Sequence, residues 1–106
     1  MALFPCNVGS GGTPTITLID QQSSNNSYTC SLNEILDINS VYLACAGYGG
    51  NGSASLTASN ATVISSGNAT WTRAIVFKPT STSVTITAQG SGSPYVGTAI
   101  LLYKIG

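Results

Sequence analysis

Ser83-Val84-Thr85-Ile86-Thr87-Ala88 puts Val84, Ile86 and Ala88 on one side of an extended chain and Ser83, Thr85 and Thr87 on the other. Strict alternation at period two, in β-branched residues, predicts a half-buried strand whose apolar side faces a core. Downstream, Gln89 to Pro94 is a Gly/Ser loop. Gly97 to Ile105 then forms a closing strand that is apolar on both faces, with Ala99, Leu101, Tyr103 and Ile105 set against Ile100 and Leu102. A strand apolar on both sides is covered on both sides. In an isolated sandwich one of those faces meets water, which makes Ile100 and Leu102 the candidate assembly contact. The alternative is a central strand covered by a loop or by the N-terminal arm.

Upstream, the long run Ala69 to Phe77 carries Trp71, Arg73, Ile75 and Phe77 on one face, and Lys78-Pro79 ends it because proline cannot donate to a ladder. Alternation alone leaves Ala74 and Val76 as an equally good core face. Ser40 to Gly47 places Val41, Leu43 and Cys45 on one side and Tyr42, Ala44 and Ala46 on the other, and Gly47-Tyr48-Gly49-Gly50-Asn51-Gly52 turns the chain. Shorter runs are expected at Thr15 to Ile19, Ser27 to Leu32, Ser53 to Ala58 and Thr62 to Ser65. A turn-like piece is expected at Ile35 to Ile38, and turns at Ser59-Asn60 and Gly67-Asn68. About seven to nine strands with no capped helical period predict an all-β fold: a two-sheet antiparallel β-sandwich, jelly-roll or immunoglobulin-like. Residues 1–14, which include the Gly/Ser stretch after Cys6, read as an N-terminal arm, and residues 15–106 as the single sandwich domain.

The 106 residues suffice for one core without metal or disulfide staples. Charged residues make up 6% of the chain, against about 25% in typical soluble domains; serine, threonine, asparagine and glycine take their place. Arg73, Lys78 and Lys104 balance Asp20, Glu34 and Asp37. Three scattered cations supply no basic stripe, so nucleic acid is excluded as a partner. The longest apolar stretches fall far short of a transmembrane helix, so no membrane partner is expected either. The opening Met1-Ala2-Leu3-Phe4-Pro5-Cys6 has no basic region followed by a long apolar stretch, and export by a signal peptide is not expected. Cys6, Cys30 and Cys45 match no zinc or redox spacing. They read as buried thiols, with one Cys30–Cys45 disulfide as the alternative.

The absence of histidine removes the commonest general base and the commonest neutral metal ligand. Glu34 and Asp37 are near enough in sequence to meet, yet read as solvated turn acids rather than a catalytic pair. No catalytic residue, cofactor or metal site is therefore expected, and the chain is expected not to be an enzyme. Tyr48 and Tyr95, on glycine- and serine-rich loops, are the aromatic rings best placed to stack on a sugar, or else to pack over the sandwich ends. Trp71 and Arg73 form a small recognition patch if they face outward. If they face inward, Trp71 is core and Arg73 needs a partner such as Glu34 or Asp37.

Trp71-Thr72-Arg73-Ala74-Ile75-Val76-Phe77-Lys78-Pro79, Ser83-Val84-Thr85-Ile86-Thr87 and Gly97-Thr98-Ala99-Ile100 resemble, in rhythm, the closing strands of carbohydrate-binding jelly rolls. The chain as a whole, with its Met-Ala start, its Gly/Ser/Thr/Asn-rich body and its Leu101-Leu102-Tyr103-Lys104-Ile105-Gly106 end, resembles small virion proteins of tailed bacteriophages and prophages in tail, fibre or capsid-decoration roles. That resemblance implies a structural virion component, made in the host cytoplasm and released by lysis. Its expected partners are copies of itself, a trimer being one form, or other virion proteins. The alternative is a glycan- or receptor-binding sandwich.

Overall fold

The computed structural model describes residues 15–24, 29–48, 54–69, 71–91 and 97–106. Eight strands run β1 (Ile16–Ser24), β2 (Thr29–Ile35), β3 (Val41–Tyr48), β4 (Ala54–Ala58), β5 (Ala61–Ala69), β6 (Thr72–Pro79), β7 (Ser83–Gly90) and β8 (Thr98–Ile105). They form an antiparallel two-sheet sandwich: five strands in the order β1-β8-β3-β6-β5 against three in the order β2-β7-β4. β1 pairs with β8, β2 with β7 and β3 with β6. Such nested pairing is the jelly-roll order, with β5 attached to β6 in the larger sheet.

The Val84/Ile86/Ala88 side of β7 is buried as the alternation requires, facing Cys30 and Leu32 of β2 and the inner side of the larger sheet. On β6 the core face is Ile75 and Phe77, with Trp71 half exposed. Phe77 stacks on its cross-strand partner Tyr42 with ring centroids 5.8 Å apart. Each such fully buried side chain contributes about 1.5–3 kcal/mol through removal of apolar surface from water.

Two turns depart from the sequence expectation. Gly67 and Asn68 lie inside β5, which continues to Ala69 before β6 begins at Thr72. Ile35 completes β2; Leu36 is then buried, its N–H donating to the Thr82 carbonyl at 2.7 Å. Ser59-Asn60 is the expected corner, and it carries the chain from the smaller sheet to the larger. Asn60 adopts φ 52°, a conformation asparagine tolerates, and its amide donates to the Ser83 carbonyl at 2.9 Å.

Tyr48 ends β3 pointing inward, 8% exposed. Its hydroxyl donates to the Ser55 carbonyl on β4, which ties the two sheets together. A Cβ placed on Gly90 would stand 3.0 Å from the Tyr48 ring. The ring is anchored at its hydroxyl and cannot swing aside, so Gly90→Ala should cost about 1 kcal/mol net of the entropy gained in the unfolded chain. Thermal unfolding checks this: the variant should melt lower than wild type. An equal or higher melting temperature would mean that the ring yields.

Candidate functional site

Among the described residues, the five-stranded sheet is covered on one side only. β2 packs over β1 and β8, β7 over β8 and β3, and β4 over β6. The side chains on that side, among them Tyr42, Ala44 and Ala46 of β3, form the core. On the opposite side the register aligns side chains in rows across β1, β8, β3, β6 and β5. One row is Leu18, Tyr103, Leu43, Val76 and Ser65; the next is Gln21, Leu101, Cys45, Ala74 and Gly67; the next is Ser23, Ala99, Gly47, Thr72 and Ala69. Ile16, Ile105 and Val41 precede the first of these, with Lys78 and Thr62 paired beside them.

This outer face is graded. The end bearing Leu43, Tyr103 and Val76 stands high, and the end bearing Gly47, Gly67, Ala74 and Ala99 stands low. The low end is an open depression of about 600 Å³ in which Arg73 is the only charged lining residue. Central-strand residues here are half-buried by their neighbours within the sheet, and no described element lies over them. β5 is more open still: from Thr62 to Ala69 every residue is exposed, including Val63 and Ile64. Each edge strand of this sheet breaks register once, β1 between Leu18 and Asp20 and β5 between Val63 and Ser65. Such bulges weaken an edge as a template for further strands.

The sequence-derived contact residues are redistributed. Ile100 and Leu102 are 0% exposed; they lie beside Ala46 and Ala44 of β3, whose small side chains leave room for them in the core. They cannot be an assembly contact, and the outward residues of β8 are Ala99, Leu101 and Tyr103. Tyr48 is likewise no ligand platform, because its ring is in the core and its hydroxyl is engaged. Burial pushes the Tyr48 phenol pKa up, partly offset by the charge of Arg73. Tyr95 lies outside the described residues. Trp71 is 51% exposed at the β5–β6 turn, its carbonyl accepting the Tyr48 N–H at 2.9 Å. Arg73 finds no acid; its guanidinium donates to the Ala69 carbonyl and, at 2.8 Å, to that of Thr72.

Cys30 and Cys45 are free thiols. Cys30 is in the core, whereas Cys45 points out of the far side of the other sheet, so the two cannot meet in a disulfide. Among the described residues no group of three His, Cys, Asp or Glu side chains could hold a metal. Asp37 organises its own turn, accepting from the Asn39 N–H at 2.8 Å and from the Ser40 hydroxyl at 3.3 Å.

Glu34 pairs with Asp20 rather than with Asp37. The bulge in β1 leaves Asp20 beside Leu102, on the core side of the larger sheet, where it meets Glu34 from the smaller one. Partial burial, the hydrogen bond to Asp20 and the charge on Asp20 push the Glu34 carboxyl up to about 7. The same hydrogen bond and the Gln21 N–H, 2.7 Å from its Oδ1, hold Asp20 down. Glu34 thus donates its proton to the Asp20 carboxylate across the gap between sheets. Sequence gave no signal for this pair, because the two acids are distant in the chain and meet only through the β1–β2 packing.

No protein-family model, curated protein or solved structure matches this chain.

The carboxyl pair makes stability depend on pH with a definite sign. In the fold Glu34 holds its proton at pH values where the unfolded chain has released it. Its contribution is complete below the usual 4.5 and disappears as pH rises through about 7. Asp20 acts oppositely, losing its contribution only well below that window. The melting temperature should therefore fall between pH ~5 and pH ~8, and Glu34→Gln, which keeps a donor but cannot titrate, should flatten that fall. A wild-type melting temperature level across the window would contradict the pairing.

Proposed function

We propose that this chain is a non-enzymatic assembly module, a structural component of a phage virion of the decoration, head-fibre or tail type, working by association with itself or with a larger shell. The observation that carries the reading is the apolar face of the five-stranded sheet over which no described element lies, bordered by the exposed strand β5. A contiguous apolar face on a soluble domain marks an interaction surface, and interface centres are depleted in charge in the same way. The phage assignment rests on the likeness in composition to small virion proteins, since a neutral Ser/Thr/Asn surface suits a particle exterior.

A glycan- or receptor-binding role is the second reading, and the half-exposed ring of Trp71 favours it. The indole is free to stack on a sugar while its backbone is fixed by Tyr48.

Light scattering over a range of concentrations should give masses that are multiples of 10.7 kDa, or else the chain should cosediment with purified virion shells or tails. A constant monomer mass together with no binding to such particles would contradict the assembly reading. On the second reading, glycan titration should quench the Trp71 fluorescence, and Trp71→Ala should remove binding on a glycan array without lowering the melting temperature.

A further inference from the structure

We infer that the outer face of the five-stranded sheet binds a second copy of this chain, sheet on sheet, about a twofold axis lying between the sheets and perpendicular to the strands. This rests on the assembly reading above and specifies its surface and geometry. Along β3 the outward residues run Val41, Leu43, Cys45, Gly47, from large to small. β8 repeats the gradient in the same direction, from Tyr103 to Ala99, and β6 steps down from Val76 to Ala74. One end of the face is a ridge and the other a hollow of about 600 Å³.

A twofold axis of that orientation lays each strand over its own copy in the opposite direction. The ridge of one protomer then enters the hollow of the other, twice, as an isologous contact requires. With the axis passing between the Leu43 and Cys45 rows, Leu43 faces the copy's Cys45, Val76 faces its Ala74, and Val41 faces its Gly47. Nearly aligned sheets packed about 10 Å apart are an established way of filling such a space. A flat partner with no gradient would leave the hollow empty, and filling that volume is what selects a copy of the same chain.

Area gives the same answer. Five strands of about eight residues make a face of roughly 600 Å² at ordinary strand spacing and rise. A stable interface uses about 800 Å² per partner, with roughly 600 Å² as the lower end. The contact reaches that range only if nearly the whole face is used, which a second identical sheet does and a peptide or a single helix does not. Charge is also compatible. Lys78 is the only charged residue in the rows, and it lies at their margin, exposed. In the dimer it lies over the copy's Thr72 at the rim, where it remains in water.

Sedimentation of the full chain and three variants tests this. Wild type should approach twice 10.7 kDa with rising concentration. Ala74→Leu, which fills the hollow, and Leu43→Lys, which charges the ridge, should each weaken dimerisation roughly tenfold or more. Ala74→Leu combined with Val76→Ala, which lowers the facing ridge, should regain most of the loss. Circular dichroism confirms that each variant is folded, and because none of these side chains faces the core, the fold should survive. If wild type dimerises and both single variants dimerise equally well, this face is not the contact, although the assembly reading stands. If wild type is monomeric at every concentration, the second copy is ruled out, and binding to virion particles decides the assembly reading separately.

Discussion

A sheet of three strands can cover only one face of a sheet of five, and it leaves part of the wider sheet overhanging. The chain nevertheless places apolar side chains on both faces of β3 and β8, the central strand of the larger sheet and its neighbour. On the covered side the alternation closes a core around Phe77, Ile86, Ile100 and Leu102. On the other side the same strands carry Leu43, Cys45, Leu101 and Tyr103, with no described layer above them. The hydrophobic contribution of those residues is realised only when something covers them. That asymmetry connects the fold to the assembly reading.

The devices that hold the two sheets together lie at the rims of the sandwich. The Tyr48 hydroxyl reaches Ser55 at the end of β3, and Gly90 leaves space for its ring. Glu34 and Asp20 share a proton where β1 meets β2. The Ser59-Asn60 corner is tied to β7, with the Thr85 N–H donating to the Ser59 hydroxyl at 2.9 Å. These contacts are directional, whereas burial is not, and they fix the small sheet over one part of the larger one. The outer face is thereby left whole.

Much of this was legible in the residues. The alternation at Ser83 to Ala88, the two-faced closing strand and the corner at Ser59-Asn60 all follow from side-chain chemistry and period. The orientation of β8 was not legible, because Ile100 and Leu102 are no more apolar than Leu101 and Tyr103. Burial was decided by the neighbouring strand, where Ala44 and Ala46 leave core space beside them. Ser40 to Gly47 carried the same two-faced signal as β8, and reading it the same way would have pointed to Leu43 and Cys45. Gly67-Asn68 has turn chemistry, yet the ladder of β5 with β6 continues through it to Ala69, because pairing with β6 overrides the local preference. The Asp20–Glu34 pair joins residues whose proximity is created by topology, and no local pattern encodes that.

Cys45 is a probe already built into the centre of the outer face, and Cys30 is its internal control in the core. The most direct measurement is the alkylation rate of each thiol in the native wild-type protein as a function of protein concentration, resolved by peptide mapping. It is best made at mildly alkaline pH, because burial pushes the Cys45 thiol up. Cys45 should react readily at high dilution and be progressively protected as concentration rises, while Cys30 stays unreactive until the protein unfolds. A Cys45 rate independent of concentration, up to levels at which the protein is demonstrably associated, would contradict association through this face.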